Sequence, residues 1–392
     1  MRVMEVDKLV RVLNGGFCYR PFNRYVVSDF ECENIVTKVD PMFGGHTNVR
    51  WSSFNAHERR YGGQDLNGKK VCIYRHNAWG DQLIISAVPM ELKKRFPGAL
   101  VHLYCHPDVM ELWRGCPFID GAAIPLPIPL DAVRKYDYVI FYEGMLEGNR
   151  EEDQNNCYDD FFGVIGLNDV PPESKRPAIV PLPSDYRLAS RFVNLNEKYV
   201  LYHMSPNNLN RMYPPKLGRK VIETLAREYP DYKIYVIGLD KDKKYGWVCE
   251  DMPENVVDLL SKTHPFRATI PMVERCRLLI CPDSAFMHMA AAFPTVPVIS
   301  LWGLFHPQDR IKYYTNNTPL FAFDACPHAP CRDHNFFLPY LQCRDSEYSK
   351  PEFRNAERAE ELQGKIEYCY ALAEIKPERV LEVAREKLSC DT

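Results

Sequence analysis

Beyond residue 68 the chain alternates short apolar runs with stretches whose apolar positions recur at helical spacing. Runs at 70–74, 100–104 and 138–141 read as buried strands, with a helix predicted over 82–96 and another near 108–114. A second set follows: strands at 199–203, 232–238, 255–260, 277–281 and 296–302, with helices at 216–229 and around 270–275. Such alternation predicts an α/β chain with two doubly wound, Rossmann-like parallel sheets facing a cleft at the carboxyl ends of their strands. Prolines at 125–129 and from 170 to 183 punctuate the first set and put the domain boundary near residue 190. The runs Arg24-Tyr-Val-Val and Asn34-Ile-Val-Thr-Lys-Val, broken by glycine pairs, make 1–68 a small strand-containing extension. Residues 377–392 carry a last amphipathic helix expected to pack back on a domain.

Composition narrows this picture. With 392 residues, 46% of them hydrophobic, the chain can bury more than one core. A formal charge of −3 argues against a uniformly basic nucleic-acid surface, though a local basic groove stays open. No apolar run reaches membrane-spanning length and the first residues lack a secretory pattern, so a cytoplasmic location is expected. Most of the 14 cysteines sit in apolar strand-like runs, where a reduced thiol serves as a small core residue.

The candidate chemistry lies just after strands. Cys281-Pro-Asp283-Ser284-Ala285-Phe-Met-His288 reads as a strand end, a polar elbow and a helix start, whose unpaired N–H groups suit a phosphate; a merely structural elbow is the alternative. Asn77-Ala-Trp-Gly80-Asp81 follows the first strand of the first set; Asp81 is either a helix cap or a general base for an acceptor hydroxyl. In the loop Ser205-Pro-Asn207-Asn-Leu-Asn-Arg211-Met-Tyr213-Pro, Arg211 can reach an anion at the sheet edge or remain solvated. Gly238, just past its strand, can approach a nucleoside, whereas Asp240-Lys-Asp242 reads as an exposed charged loop rather than a metal motif.

Gly80-Asp81, Arg211-Met-Tyr-Pro and Pro282-Asp-Ser-Ala-Phe-Met-His-Met-Ala, in that order, resemble the heptosyltransferase-like glycosyltransferases of family 9, which have the two-Rossmann GT-B fold. The resemblance covers roughly residues 69–303. It implies an acceptor-side domain over 69–190, with Asn77 and Gly80 beside it, and a donor-nucleotide domain over 191–376. It further implies that Asp81 is the base and that Arg211 stands for the family's diphosphate-binding lysine, with Tyr213 in place of a tryptophan. Ser205, Asn207, Gly238, Asp283, Ser284, Ala285 and His288 then form the donor site, Ala285 replacing the usual glycine. Members invert the anomeric centre and need no metal for transfer, so the expected partners are a nucleotide-diphospho-sugar donor and a saccharide or protein acceptor, with a modified nucleic-acid base less favoured; a homo-oligomer is compatible.

Cys326, Cys331, Cys343 and Cys369, in a proline-punctuated segment over 326–369, could bind structural zinc or iron or remain unliganded thiols, with His328 and His334 as substitutes. Some autotransporter heptosyltransferases are similar here in carrying a cysteine-bound iron finger. Two other readings stay open: a sugar-nucleotide epimerase, and a non-catalytic metal-stabilised binding protein on the same fold. The absence of a Gly-x-Gly-x-x-Gly fingerprint after any expected strand argues against hydride transfer.

Overall fold

The computed structural model describes residues 2–6, 10–11, 18–20, 23–27, 49–53, 61–76, 78–143, 156–203, 206, 211–239, 251–326, 329–330 and 369–389. The chain divides into two compact units, Met1–Val180 and Pro181–Thr392.

The first unit begins with β1 (Arg2–Val6), the small pair β2 (Val10–Arg11) and β3 (Cys18–Tyr19), then β4 (Arg24–Val27) and β5 (Val49–Ser53). β1 pairs antiparallel with both β4 and β5. Next come β6 (Lys70–Tyr74), β7 (Leu100–Cys105), β8 (Ile124–Pro125) and β9 (Tyr138–Phe141), a parallel sheet in the order β8-β7-β6-β9. Val3, Met4, Tyr25, Val26 and Val27 share one core with Cys72, Tyr74 and Val139, so the N-terminal strands spend their apolar faces covering this sheet. The single helix expected over 82–96 is instead two, α1 (Trp79–Ile85) and α2 (Ala87–Arg95). Pro89 explains the break: it has no N–H to offer the Ile85 carbonyl and its ring crowds that oxygen. The helix expected near 108–114 is a 3-10 turn, Pro107–Trp113, capped by His106 Nδ1 accepting from the Asp108 N–H at 3.2 Å. α3 (Cys157–Val164) follows.

The second unit opens with α4 (Pro183–Ala189) and builds a six-stranded parallel sheet from β10 (Tyr199–Tyr202), β11 (Lys233–Val236), β12 (Val256–Asp258), β13 (Leu278–Pro282), β14 (Val298–Trp302) and β15 (Asn317–Phe321). Their order is β12-β11-β10-β13-β14-β15. The chain therefore winds outward from β10 one way, returns, and winds outward from β13 the other way, leaving a switch point between β10 and β13. The first unit's order puts its own switch point between β6 and β9.

The connecting helices are α5 (Pro215–Glu228), α6 (Thr269–Arg275), α7 (Ala285–Ala291) and α8 (Pro307–Ile311), and α9 (Pro377–Ser389) closes the chain. α5 turns Val221, Ile222, Leu225 and Ala226 to the core, where α9 adds Leu381, Ala384 and Leu388. Burying each such leucine stabilises the unit by about 1.5–3 kcal/mol. Among the described residues, no helix is long and apolar enough to cross a membrane.

Candidate functional site

At the second unit's switch point, His203 follows β10 directly and Asp283 follows β13, so both stand at the carboxyl edge of adjacent strands. Arg211, eight residues on from His203 in the chain, donates through Nη1 to the backbone oxygen of Asp283 at 3.4 Å and to its Oδ2 at 3.3 Å. Burial pushes the Asp283 carboxyl up, but the charges of Arg211, Arg310 and His288 and the Arg211 hydrogen bond outweigh it and hold the group below its ordinary range. Ser284 Oγ and His203 Nδ1 share a hydrogen bond at 3.3 Å, and the His203 ring lies on Phe286 with centroids 4.5 Å apart.

His288 is buried, with Nδ1 bonded to the Tyr314 hydroxyl at 2.8 Å. Burial pulls its pKa down to about 4; Asp283 opposes that, while Arg310 and Arg211 add to it. The imidazole is thus neutral near pH 7, and the guanidiniums of Arg211 and Arg310 both act on the Asp283 carboxylate. Arg211 Nε is buried with no hydrogen-bond partner among the described residues.

The elbow itself is unstrained. Ser284 is extended at φ −153°, α7 starts at Ala285, and the non-glycine residues with positive φ among those described are Ala78 and Ser261. Alanine in place of glycine at 285 therefore carries no backbone cost. Gly238 lies two residues past β11, where its carbonyl accepts from the Ser261 N–H at 2.9 Å.

In the first unit the same edge carries Asp81. Because α1 begins at Trp79, Asp81 lies within the first helical turn, Gly80 just before it, and no side chain caps the helix. The Asp81 carboxylate goes instead to the Nη2 of Arg75, the residue directly after β6. Arg75 Nη1 also donates to the Tyr142 carbonyl at 2.9 Å and lies 3.7 Å from Glu143 Oε2. Between Arg75 and α1, Ala78 takes up φ 66°, a left-handed conformation that costs a residue bearing Cβ about 1–3 kcal/mol.

Cys326 ends the 3-10 turn Phe323–Ala325, and Cys369 precedes the turn Tyr370–Ala373; these two turns pack together. Cys331 and Cys343 lie outside the described residues, as do Asn77, Ser205, Asn207, Asp240, Asp242, His328 and His334. Among the described residues no cluster of three or more His, Cys, Asp or Glu side chains has metal-holding geometry. Cys72, Cys105, Cys276 and Cys281 are buried, and burial pushes the Cys105 thiol up to about 12, as expected for inert core cysteines.

Of the sequence-derived candidates, Arg211, Asp283, Ser284, Ala285 and His288 come together around the β10–β13 edge, while Gly238 stands at the neighbouring β11 edge. Arg310, His203 and Tyr314 were missed around the β10–β13 edge, and Arg75 and Glu143 around the β6–β9 edge. Arg310 sits in α8, its guanidinium 4.9 Å from the Phe305 ring centre. The strand–proline–helix pattern of Val298–Trp302 followed by Pro307 was the available signal for it.

Residues 167–340 match the family model of glycosyltransferase family 9 (heptosyltransferase). No curated protein sequence matches the chain. Among solved structures, a family 9 glycosyltransferase from Veillonella parvula DSM 2008 superposes with a TM-score of 0.60 at 14% identity, over 83% of this chain and 99% of that one. The E. coli ADP-heptose lipopolysaccharide heptosyltransferase II gives 0.58 at 15% identity, over 82% and 99%. The iron-containing dodecameric glycosyltransferase TibC from enterotoxigenic E. coli H10407 gives 0.57 at 14% identity, over 100% and 92%. The family resemblance carried by the motifs is borne out over residues 167–340, a glycosyltransferase family 9 segment that includes the whole Arg211–Asp283–His288 cluster, and the chain has the GT-B fold.

Proposed function

We propose that the chain transfers a heptose-like sugar from a nucleotide-diphospho-sugar to an acceptor hydroxyl of a saccharide or protein, with inversion. The observation that carries this reading is the pair of guanidiniums, Arg211 and Arg310, acting on Asp283 at the β10–β13 switch point, within the matched family segment. The donor diphosphate binds there, its negative charge met by Arg211 and by the N–H groups after Ser284. Asp81 takes the acceptor proton as the acceptor oxygen bonds to the anomeric carbon. The anomeric carbon–oxygen bond breaks, and its electron pair leaves on the diphosphate, where the guanidiniums offset the growing charge. The relatives named for heptose transfer support the sugar, and the part-exposed Asp81 carboxylate after β6 supports the base.

The test is a panel of nucleotide sugars including ADP-heptose, incubated with lipopolysaccharide core saccharide or an autotransporter polypeptide while release of nucleoside diphosphate is followed. We expect acceptor-dependent release with at least one donor, and a loss of about 10²–10⁴-fold in Asp81→Asn with donor affinity kept. No turnover with any donor, or full turnover in Asp81→Asn, contradicts the reading.

We further propose that the cysteine segment holds a structural iron or zinc. Cys326 and Cys369 are 43 positions apart yet flank turns that pack together, which suits a shared ion, and TibC is an iron-containing relative. The ion would cross-link the segment. Elemental analysis of the purified full chain is expected to give about one metal ion per chain, lost in Cys326→Ser; metal-free wild-type protein overturns the proposal.

A further inference from the structure

In the first unit one buried guanidinium is shared by two carboxylates. Arg75 follows β6 directly and its side chain is 1% exposed; Glu143 follows β9 at 5%, and Asp81 lies in the first turn of α1 at 20%. β6 and β9 are the strands on either side of this unit's switch point, where the carboxyl edge of such sheets receives ligands. The Glu143 Oε2 that lies 3.7 Å from Arg75 Nη1 also accepts the His76 N–H at 2.8 Å, so Glu143 anchors both the guanidinium and the start of the β6–α1 turn. Gln82 Nε2 donates to the Arg75 carbonyl at 2.9 Å, and Trp113 Nε1 donates to Gln82 Oε1 at 2.8 Å, tying the same turn from the helix side. The turn held in this way contains the left-handed Ala78.

A buried guanidinium is a poor way to gain stability, because its desolvation offsets most of what pairing returns. What it supplies is direction. Its planar fork fixes the acceptors on its two arms relative to each other, which a lysine ammonium would not do. The two carboxylates differ in access, and such a difference separates their tasks: the enclosed one serves as anchor and the open one faces reactants.

We propose that Arg75, anchored by Glu143, is the positioning residue that aims the Asp81 carboxylate at the acceptor hydroxyl. This rests on the reading of Asp81 as the base. Arg75 touches no reactant; it sets where the Asp81 oxygens lie, and a displacement of about 1 Å at a reacting group can cost about 10²-fold in rate.

The experiment uses the full chain, ADP-heptose as donor and core saccharide as acceptor, with single-turnover ADP release for the chemical step and calorimetry for ADP affinity. Arg75→Met is expected to slow release by about 10²-fold while ADP affinity stays within about twofold of wild type, since ADP binds to the other unit's sheet edge. Arg75→Lys, which keeps the charge but not the fork, is expected to recover about tenfold of that loss. Glu143→Gln should slow the step in the same selective way. The Arg75→Met/Asp81→Asn double variant should be no slower than Asp81→Asn alone, because both changes remove one function.

If Asp81→Asn is slow but Arg75→Met is not, or if the two losses multiply, the positioning role is wrong while the base assignment stands. If Asp81→Asn turns over normally, or wild type does not turn over, the base assignment fails and the positioning role fails with it. Should Arg75→Met not fold, Arg75→Lys decides: an intermediate, affinity-neutral loss supports the proposal, and wild-type turnover overturns it.

Discussion

Buried beside Asp283, His288 is kept neutral by its surroundings. Its pKa of about 4, against an ordinary 6.5, means that between those values the unfolded chain binds a proton the native chain refuses. Stability contributed by the neutral imidazole is therefore lost as pH falls through this window, by about 3 kcal/mol in all. Asp283, held below its ordinary value of 3.8, adds a further loss only in stronger acid. Urea unfolding from pH 7 to pH 4 is expected to cost wild type about 3 kcal/mol more than His288→Gln. His102 and His106, also depressed by burial, contribute to both proteins, so parallel curves for the two would contradict this account. At this scale the sequence was half legible. Arg211 and Asp283 announce themselves because each lies in a loop between an apolar run and a helix. Arg75 and Glu143 are single charges after strands 64 residues apart in β6 and β9, and only the pairing of those strands brings them to one guanidinium.

Elements were read best where periodicity alone decides them. β6, β7, β9, β10 and β13 are runs of buried apolar residues and lie where the pattern put them. β8 is two residues ending in Pro125, and β15 contains Pro319; proline hides a strand from a propensity reading and is tolerated because both lie at sheet edges. The break between α1 and α2 was in the sequence, in Pro89, but the strong apolar spacing on both sides masked it. α4 carries an interaction that no local pattern reveals. Arg267 Nε reaches Asp185 Oδ2 at 3.0 Å and its Nη2 reaches the same oxygen at 2.5 Å, with both side chains buried. Asp185→Asn takes this carboxylate's charge from the enclosed guanidinium, and the second unit is expected to lose about 3–5 kcal/mol in chemical unfolding. Replacing both by apolar residues, Asp185→Leu with Arg267→Met, should return most of that loss. A single variant as stable as wild type would show that water or other groups satisfy Arg267 instead.

At the scale of the whole molecule, two units wound in the same sense carry different chemistry at equivalent edges: an arginine–aspartate pair after β10 and β13, and an arginine-held carboxylate pair after β6 and β9. The doubly wound α/β class was legible because alternating strands and helices constrain the winding strongly, whereas GT-B came from the resemblance of the Asp81, Arg211 and Asp283 motifs to family 9. The acceptor was not legible, because among the described residues around Asp81 the side chains single out no particular saccharide or protein. The proposed transfer depends most on the second unit's edge holding a nucleoside diphosphate through Arg211. Calorimetric titration of ADP into wild type and a folded Arg211→Ala variant tests this directly. Loss of one charge-assisted contact of about 1.5–3 kcal/mol predicts ADP affinity weaker by about 10- to 100-fold. Equal affinity in the two proteins, or no ADP binding to wild type, would contradict it.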